Sequence, residues 1–345
     1  MDPTITILSR WFPVISHRRR FASNLLVKIM MNYAFDENIN MIEFIQNNIH
    51  TLDDLLNRHI NYDMYISGTI FFMSACILDI TINGKLKYRN RIMSLVLLYI
   101  MVDNIFDNSS PTEIKSFISD IRRVIESDLF KIENQQPLDD SLLSLHPSVK
   151  YYRKMVGYNK NVIIAVRQMF EYEVDSVKFQ ASNAHNREDY LKMAHLKGSQ
   201  SLKLLYHIIA VNPTELEEKE FGQIGHCCQL VDDMMDYQDD IKQNIHTIAT
   251  YEYNLHGNMD QLFRETIEKL DNLSPKYNLI RYGMLLMLMF TVSKYRMLSP
   301  SLRRRVDPYI YINYIFDTHI YDHIMISKPP KEDLQSFEQR FPSPD

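Results

Sequence analysis

Apolar residues recur three and four positions apart through most of the chain, and alternating segments are scarce. That is the periodicity of one-sided helices, not of half-buried strands. The spacing predicts helices over 22–35, 39–58, 62–82, 86–107, 111–129, 148–179, 187–211, 214–243, 258–272, 275–297 and 307–325. Ser110-Pro111-Thr112-Glu113 combines an N-cap hydroxyl, a proline at the first helical position and a capping-box carboxylate, so a helix starts there. Asp103 and Asp107 then fall in the last turns of the preceding helix, where carboxylates oppose the negative end of the helix dipole. A locally unfavourable position of this kind is easier to explain by function than by stability. There is no internal repeat or low-complexity block, and 328–345 reads as a polar C-terminal tail. The expected architecture is all-α, with about 10–11 helices in a single main domain over 1–327.

Composition narrows the class. The chain has 345 residues, ample for a buried core. With only 8 glycines, long helices are favoured over Gly-rich phosphate loops. The net charge of −5, with both signs interspersed, gives no nucleic-acid footprint. Three cysteines, two of them adjacent (Cys227, Cys228), fit neither a disulfide framework nor a zinc ligand set, so a reducing compartment is expected. Arg18-Arg19-Arg20 is not followed by an apolar region of signal-peptide type, and no run of 18 uncharged apolar residues occurs. The expectation is a soluble, cytoplasmic protein with no integral membrane segment.

The segment Asp232-Asp233-Met234-Met235-Asp236-Tyr237-Gln238-Asp239-Asp240 follows the apolar-leaning run Ile224 to Val231. On a helix, Asp232, Asp236 and Asp240 share one face, climbing roughly 12 Å with about 80° of angular spread. Aligned carboxylates repel one another, and a divalent cation removes the conflict. Hard ions such as Mg²⁺ take oxygen ligands and commonly retain substrate phosphate in their shell. A second pair, Asp103 and Asp107, closes another apolar run, Leu95 to Val102. Two acid-tipped helices suggest a metal–diphosphate site. Asp53-Asp54-Leu55-Leu56-Asn57 has a similar pattern but lacks the apolar lead-in and is set aside.

Gly222-Gln223-Ile224-Gly225-His226-Cys227-Cys228-Gln229-Leu230-Val231-Asp232-Asp233-Met234-Met235-Asp236-Tyr237 resembles the second aspartate-rich motif of trans-isoprenyl diphosphate synthases. Asp103-Asn104-Ile105-Phe106-Asp107 resembles the first aspartate-rich motif of class I terpene synthases. Asp189 to Gly198 is similar to the segment that precedes the broken active-site helix in both groups. The resemblance covers roughly residues 90–245, with the motifs in family order. It implies the class I terpenoid-synthase α-bundle around a central apolar cavity, with three Mg²⁺ at its mouth. Asp103 and Asp107 would hold two ions and Asp232, Asp236 and Asp240 the third.

Two departures bear on the type of enzyme. The basic pair that follows the first motif in chain-elongating enzymes is replaced by Asn108-Ser109-Ser110-Pro111-Thr112. No N-terminal Gly-Lys-x-x-Arg element stands out either, the nearest being Gly84 to Arg89. By the same resemblance Lys197 takes the family lysine's place, and Arg187, 45 residues before Asp232, lies near the usual spacing of the diphosphate-sensing arginine. Tyr295-Arg296 and Arg303-Arg304-Arg305 are candidates for the C-terminal basic element. Val96, Tyr99 and Ile100 lie one to two turns before Asp103 on its face, and Gly225 and Cys228 do the same before Asp232, so these residues are candidate cavity walls. Phe71 and Phe72 either offer a ring face to a carbocation or fill the core. Gly222 and Gly225 leave room for something to approach the backbone, and Gly198 lets its helix break.

The resemblance thus implies a Mg²⁺-dependent terpene synthase, a monomer or homodimer acting on a linear isoprenyl diphosphate such as farnesyl diphosphate. The alternatives are a chain-elongating isoprenyl diphosphate synthase, a squalene/phytoene-type condensing enzyme, and a non-enzymatic helical regulatory subunit.

Overall fold

The computed structural model describes residues 2–11, 62–108, 111–134, 160–182 and 184–306. The predicted helices 22–35, 39–58 and 307–325, the first part of 148–179, the Asp53 segment and the tail 328–345 lie outside the described residues. What is described is all-helical: α1 Pro3–Trp11, α2 Tyr62–Asn83, α3 Arg89–Asn108, α4 Pro111–Glu133, α5 Lys160–Gln180, α6 Arg187–Ile209, α7 Glu215–Gln243, α8 Ile248–His256, α9 Asp260–Asp271 and α10 Asn278–Tyr295. A 3₁₀ turn, Pro275–Tyr277, leads into α10, and 300–306 is helical again. No strand occurs among the described residues. None of their helices is long and apolar enough to cross a membrane.

The chain divides into two compact units. The first comprises Met1–Leu26, Gln168–Tyr206 and Asn212–Tyr321; the second comprises Val27–Arg167, His207–Val211 and Asp322–Asp345.

In the first unit α7 is the central element, packing against α8, α9 and α10. Its apolar side (Phe221, Ile224, Leu230, Val231, Met234 and Tyr237) is buried. Removing that much apolar surface from water stabilises the unit by about 1.5–3 kcal/mol per large side chain, before conformational entropy is charged against it. The boundaries of α7 are written locally. Thr214 accepts from the Glu217 amide at 3.3 Å, Glu215, Glu217 and Glu218 complement the dipole, and Asn244 ends the helix in the left-handed conformation (φ 56°).

Two helices of this unit were not predicted. α8 carries β-branched and aromatic residues, and its capping box joins two threonines, Thr247 and Thr250, instead of the Ser/Thr and Glu/Gln that a sequence scan looks for. α1 starts from Asp2, whose carboxylate accepts the Thr4 amide at 3.0 Å, with Pro3 at the first helical position. Ile7 and Leu8 of α1 are buried, and α1 packs on α9. Asp2 pairs with Arg264 and Arg305, and Arg10 with Asp271.

In the second unit α2 and α3 form a hairpin. Gly84 (φ +70°) ends α2, a conformation that side chains with a Cβ resist. The fully buried Asp79 accepts hydrogen bonds from Asn83 Nδ2 and the amides of Lys87 and Tyr88, each at 2.7 Å. The Gly84–Arg89 stretch is therefore the turn of this hairpin. Phe72, Ala75, Cys76, Leu78, Ile92, Leu95, Val96 and Val102 are buried within the unit. Asp103 and Asp107 belong to the last turns of α3, which ends at Asn108, and α4 starts at Pro111 with Glu113 in its first turn.

Candidate functional site

The acidic row on α7 is continuous helix from Asp232 through Asp240. Asp232 and Asp236 are exposed, Asp240 is half-buried, and Asp233, outside the predicted triad, is buried (6% exposed). Asp233 lies on the stripe Gly222, Gly225/His226, Gln229 that faces α6; Asp236 and Asp240 continue the same stripe further along α7, and Asp232 sits at its edge. Gln229 Nε2 donates to Asp233 Oδ1 at 2.8 Å and to Asp232 Oδ2 at 3.3 Å, tying the two carboxylates together. Thr247 Oγ1, at the start of α8, donates to Asp240 Oδ2 at 3.3 Å.

Asp233, Asp236 and Asp240 hold protons far above the ordinary range. Burial raises Asp233 to about 7; the Gln229 hydrogen bond and the Lys197 charge oppose this, and the charges of Asp232 and Asp240 add to it. Asp236 is raised to about 7, through burial and through the charges of Asp232, Asp240, Asp233 and Asp239. Solvent still reaches Asp236, so the crowd of carboxylates, more than burial, separates it from an ordinary surface aspartate. Burial and Asp232 raise Asp240 to about 6, against the Thr247 hydrogen bond and Lys197.

Lys197 is a basic residue whose charge acts on this row. It pairs with Glu173 Oε2 of α5 at 3.4 Å, and its charge acts on Asp233 and Asp240. Arg187 is committed elsewhere. Its Nε donates to Glu252 Oε1 at 2.5 Å and its Nη2 to Glu265 Oε2 at 2.9 Å, which fastens the start of α6 to α8 and α9. Arg296 follows α10 in the left-handed conformation (φ 53°) with its side chain exposed. The side chain of Tyr295 lies outside the described residues, as do those of Asp103, Asp107 and Ile100.

The glycines require a correction. α6 runs unbroken through Gly198, so no helix break occurs there. A Cβ on Gly198 would stand 2.2 Å from the Gly225 carbonyl oxygen, and one on Gly225 would stand 2.1 Å from the Gly198 oxygen. The room at Gly225 is filled by the α6 backbone, so neither glycine opens to a ligand. Gly222 is approached by Ser199, whose hydroxyl donates to the Gly222 carbonyl at 2.8 Å. This backbone-to-backbone crossing sets the chain position next to Lys197 against α7. Of the remaining wall candidates, Cys228 Sγ lies 3.4 Å from Met284 Sδ of α10. Phe72 and Val96 are core residues of the second unit, 1% and 3% exposed. Tyr99 is half-buried, edge-on to Phe71 with ring centroids 5.1 Å apart.

Among the described residues, no three His, Cys, Asp or Glu side chains converge into a ready cage for a metal ion. What α7 presents is a row of hard oxygen donors whose mutual repulsion a divalent cation would relieve. The donor chemistry therefore fits Mg²⁺. The chain matches no protein-family model, no curated protein and no solved structure.

Proposed function

We propose that this all-helical protein is a class I terpene synthase that ionises a linear isoprenyl diphosphate, farnesyl diphosphate being the expected substrate, and cyclises the hydrocarbon with release of diphosphate. The observation that carries this reading is the α7 row. Asp232, Asp236 and Asp240 recur every four residues on one helix, and Asp236 and Asp240 hold their protons to about 7 and about 6. Carboxylates crowded to this degree are costly to the fold unless a cation is to be bound.

Asp232, Asp236 and Asp240 would hold one Mg²⁺, and Asp103 and Asp107 would contribute to the others. Bound Mg²⁺ would supply Lewis-acid neutralisation of the departing diphosphate. Lys197 is placed to add a positive charge beside the same row, and a donor of this kind stabilises charge as it develops on the leaving group. Gln229 fixes the orientation of Asp232 and Asp233 before any ligand arrives. Dry, apolar surroundings would hold the chain in its reactive conformer after ionisation.

A second reading, a chain-elongating isoprenyl diphosphate synthase, is favoured by aspartate at all three positions of the α7 row and opposed by the missing basic pair after Asp107. One incubation separates the two. Purified protein with Mg²⁺ receives C10, C15 or C20 diphosphates, with and without isopentenyl diphosphate, and products are read by gas chromatography–mass spectrometry. The cyclase reading expects a terpene hydrocarbon or alcohol and no consumption of isopentenyl diphosphate. A longer prenyl diphosphate as main product would overturn it in favour of the second reading. Asp232→Ala should lower turnover by orders of magnitude without altering the helical circular dichroism.

A further inference from the structure

Six residues before Asp232 on α7, a different chemistry gathers. His226 of α7 and His195 of α6 meet edge to face, with ring centroids 4.8 Å apart. Ser199 has one hydroxyl proton, and it goes to the Gly222 carbonyl at 2.8 Å. The Ser199 oxygen, 3.2 Å from His195 Nδ1, therefore accepts from an Nδ1–H, which leaves Nε2 as the nitrogen of His195 that takes up a proton or a ligand. His226 Nε2 is buried and makes no hydrogen bond among the described residues. An orphaned buried nitrogen of this kind calls for an explanation.

Two ammonium groups supply one. Lys269, on α9, acts on both imidazoles and makes no ion pair among the described residues, and α9 packs against α7. Lys203 of α6 acts on His195 and is itself paired with Glu218 of α7 at 3.5 Å. The neighbouring Cys227 thiol is buried and carries no charge at neutral pH. Burial, then Lys269 and His195, push His226 down to about 3; burial, Lys269 and Lys203 lower His195. Burial is the main cause that keeps both rings neutral, and the positive charge of Lys269 that adds to it repels a metal cation and attracts an anion. One imidazole N–H, a second once His195 protonates, and an ammonium match the several acceptor oxygens of a tetrahedral oxyanion.

We propose that His195, His226 and Lys269 form a binding site for an oxyanion of the phosphate class, with His226 Nε2–H and the Lys269 ammonium as its standing donors and His195 joining them when it protonates. The site does not depend on the α7 acidic row being catalytic. Anion and proton bind His195 cooperatively, so the anion raises the affinity of that ring for its proton, and affinity for the anion rises as pH falls through the titration of His195.

The test uses the full chain with selectively labelled histidines, titrated by NMR from pH 8 to pH 5 with and without inorganic phosphate. His195→Asn and His226→Asn assign the two signals. Phosphate should shift both rings, raise the midpoint of His195, and bind more tightly by up to about tenfold per pH unit across its titration. Lys269→Gln should abolish these effects with an unchanged melting temperature, and Lys269→Arg, which keeps the charge, should retain them. Failure of phosphate to move either ring, an undiminished response in Lys269→Gln, or a response to Zn²⁺ in place of phosphate would each overturn the proposal.

Discussion

Replacing Gly198 by alanine tests the crossing of α6 and α7 directly. The added Cβ would lie 2.2 Å from the Gly225 carbonyl oxygen, 2.7 Å from its carbon and 2.9 Å from Gln229 Cβ. A carbon and a carbonyl oxygen rest about 3.3 Å apart at closest, so the helices must part by about 1 Å at their crossing. The obstructing atoms are helical backbone, which cannot rotate away as the end of a long side chain would. Overpacking of this type costs about 1–3 kcal/mol, and a rigid neighbour places it at the upper end. Alanine recovers about 1 kcal/mol of helix propensity, so the clash wins by about 2 kcal/mol. For domains of this size class, about 2–4 °C of melting temperature accompany each kcal/mol, giving a fall of about 4–8 °C. Thermal unfolding followed by circular dichroism at 222 nm measures it. Gly283 supplies the control, because it lies inside α10 with nothing within 4 Å of an added Cβ. Gly283→Ala should be neutral or slightly stabilising. If Gly198→Ala behaves like Gly283→Ala, the close crossing is wrong, and with it the placement of Lys197 beside the acidic row.

Arg187→Ala leaves Glu252, 1% exposed, without its closest partner and should destabilise the fold by about 3 kcal/mol; a thermal melt equal to the parent's would show that the clamp contributes nothing. The acidic row makes stability depend on pH. Asp233 and Asp236, raised from 3.8 to about 7, and Asp240, raised to about 6, bind protons more tightly folded than unfolded. Their contribution is therefore full below about pH 4 and is lost as pH rises through 6 and 7. Melting temperature should fall between pH 5 and pH 8, Asp236→Asn should flatten that slope, and Mg²⁺ should restore more at pH 8 than at pH 5. A parent-like slope in Asp236→Asn would refute the crowding argument. Lys197→Ala should lower kcat by about 10²-fold if it stabilises developing charge, and stability should change by no more than about 1 kcal/mol, because its contact with Glu173, at 3.4 Å, is a long one for an ion pair. Near-normal turnover in that variant would remove Lys197 from the mechanism.

Local chemistry was enough for most of the helical frame. The apolar spacing of 62–82, 111–129, 187–211 and 214–243 and the Ser110–Glu113 start signal led to α2, α4, α6 and α7 within a few residues, because periodicity and caps act over one or two turns. The same periodicity set Asp232, Asp236 and Asp240 on one face of α7. It could not show α8, whose cap joins two threonines, or α1, whose apolar face makes sense only against α9. Which carboxylate is buried, and which glycine is open, depends on what lies opposite, and that information is not local. Asp233 is buried and held by Gln229, while Asp236, further along the same stripe of α7, is exposed. Gly198 and Gly225 close on each other, and Arg187 is held by two glutamates 65 and 78 positions further along the chain. The amino-acid sequence by itself determined the helices and the row of acids, since both follow from repeat and spacing. Only the tertiary structure decided which groups crowd, pair or stay open, since burial and charge depend on neighbours remote along the chain.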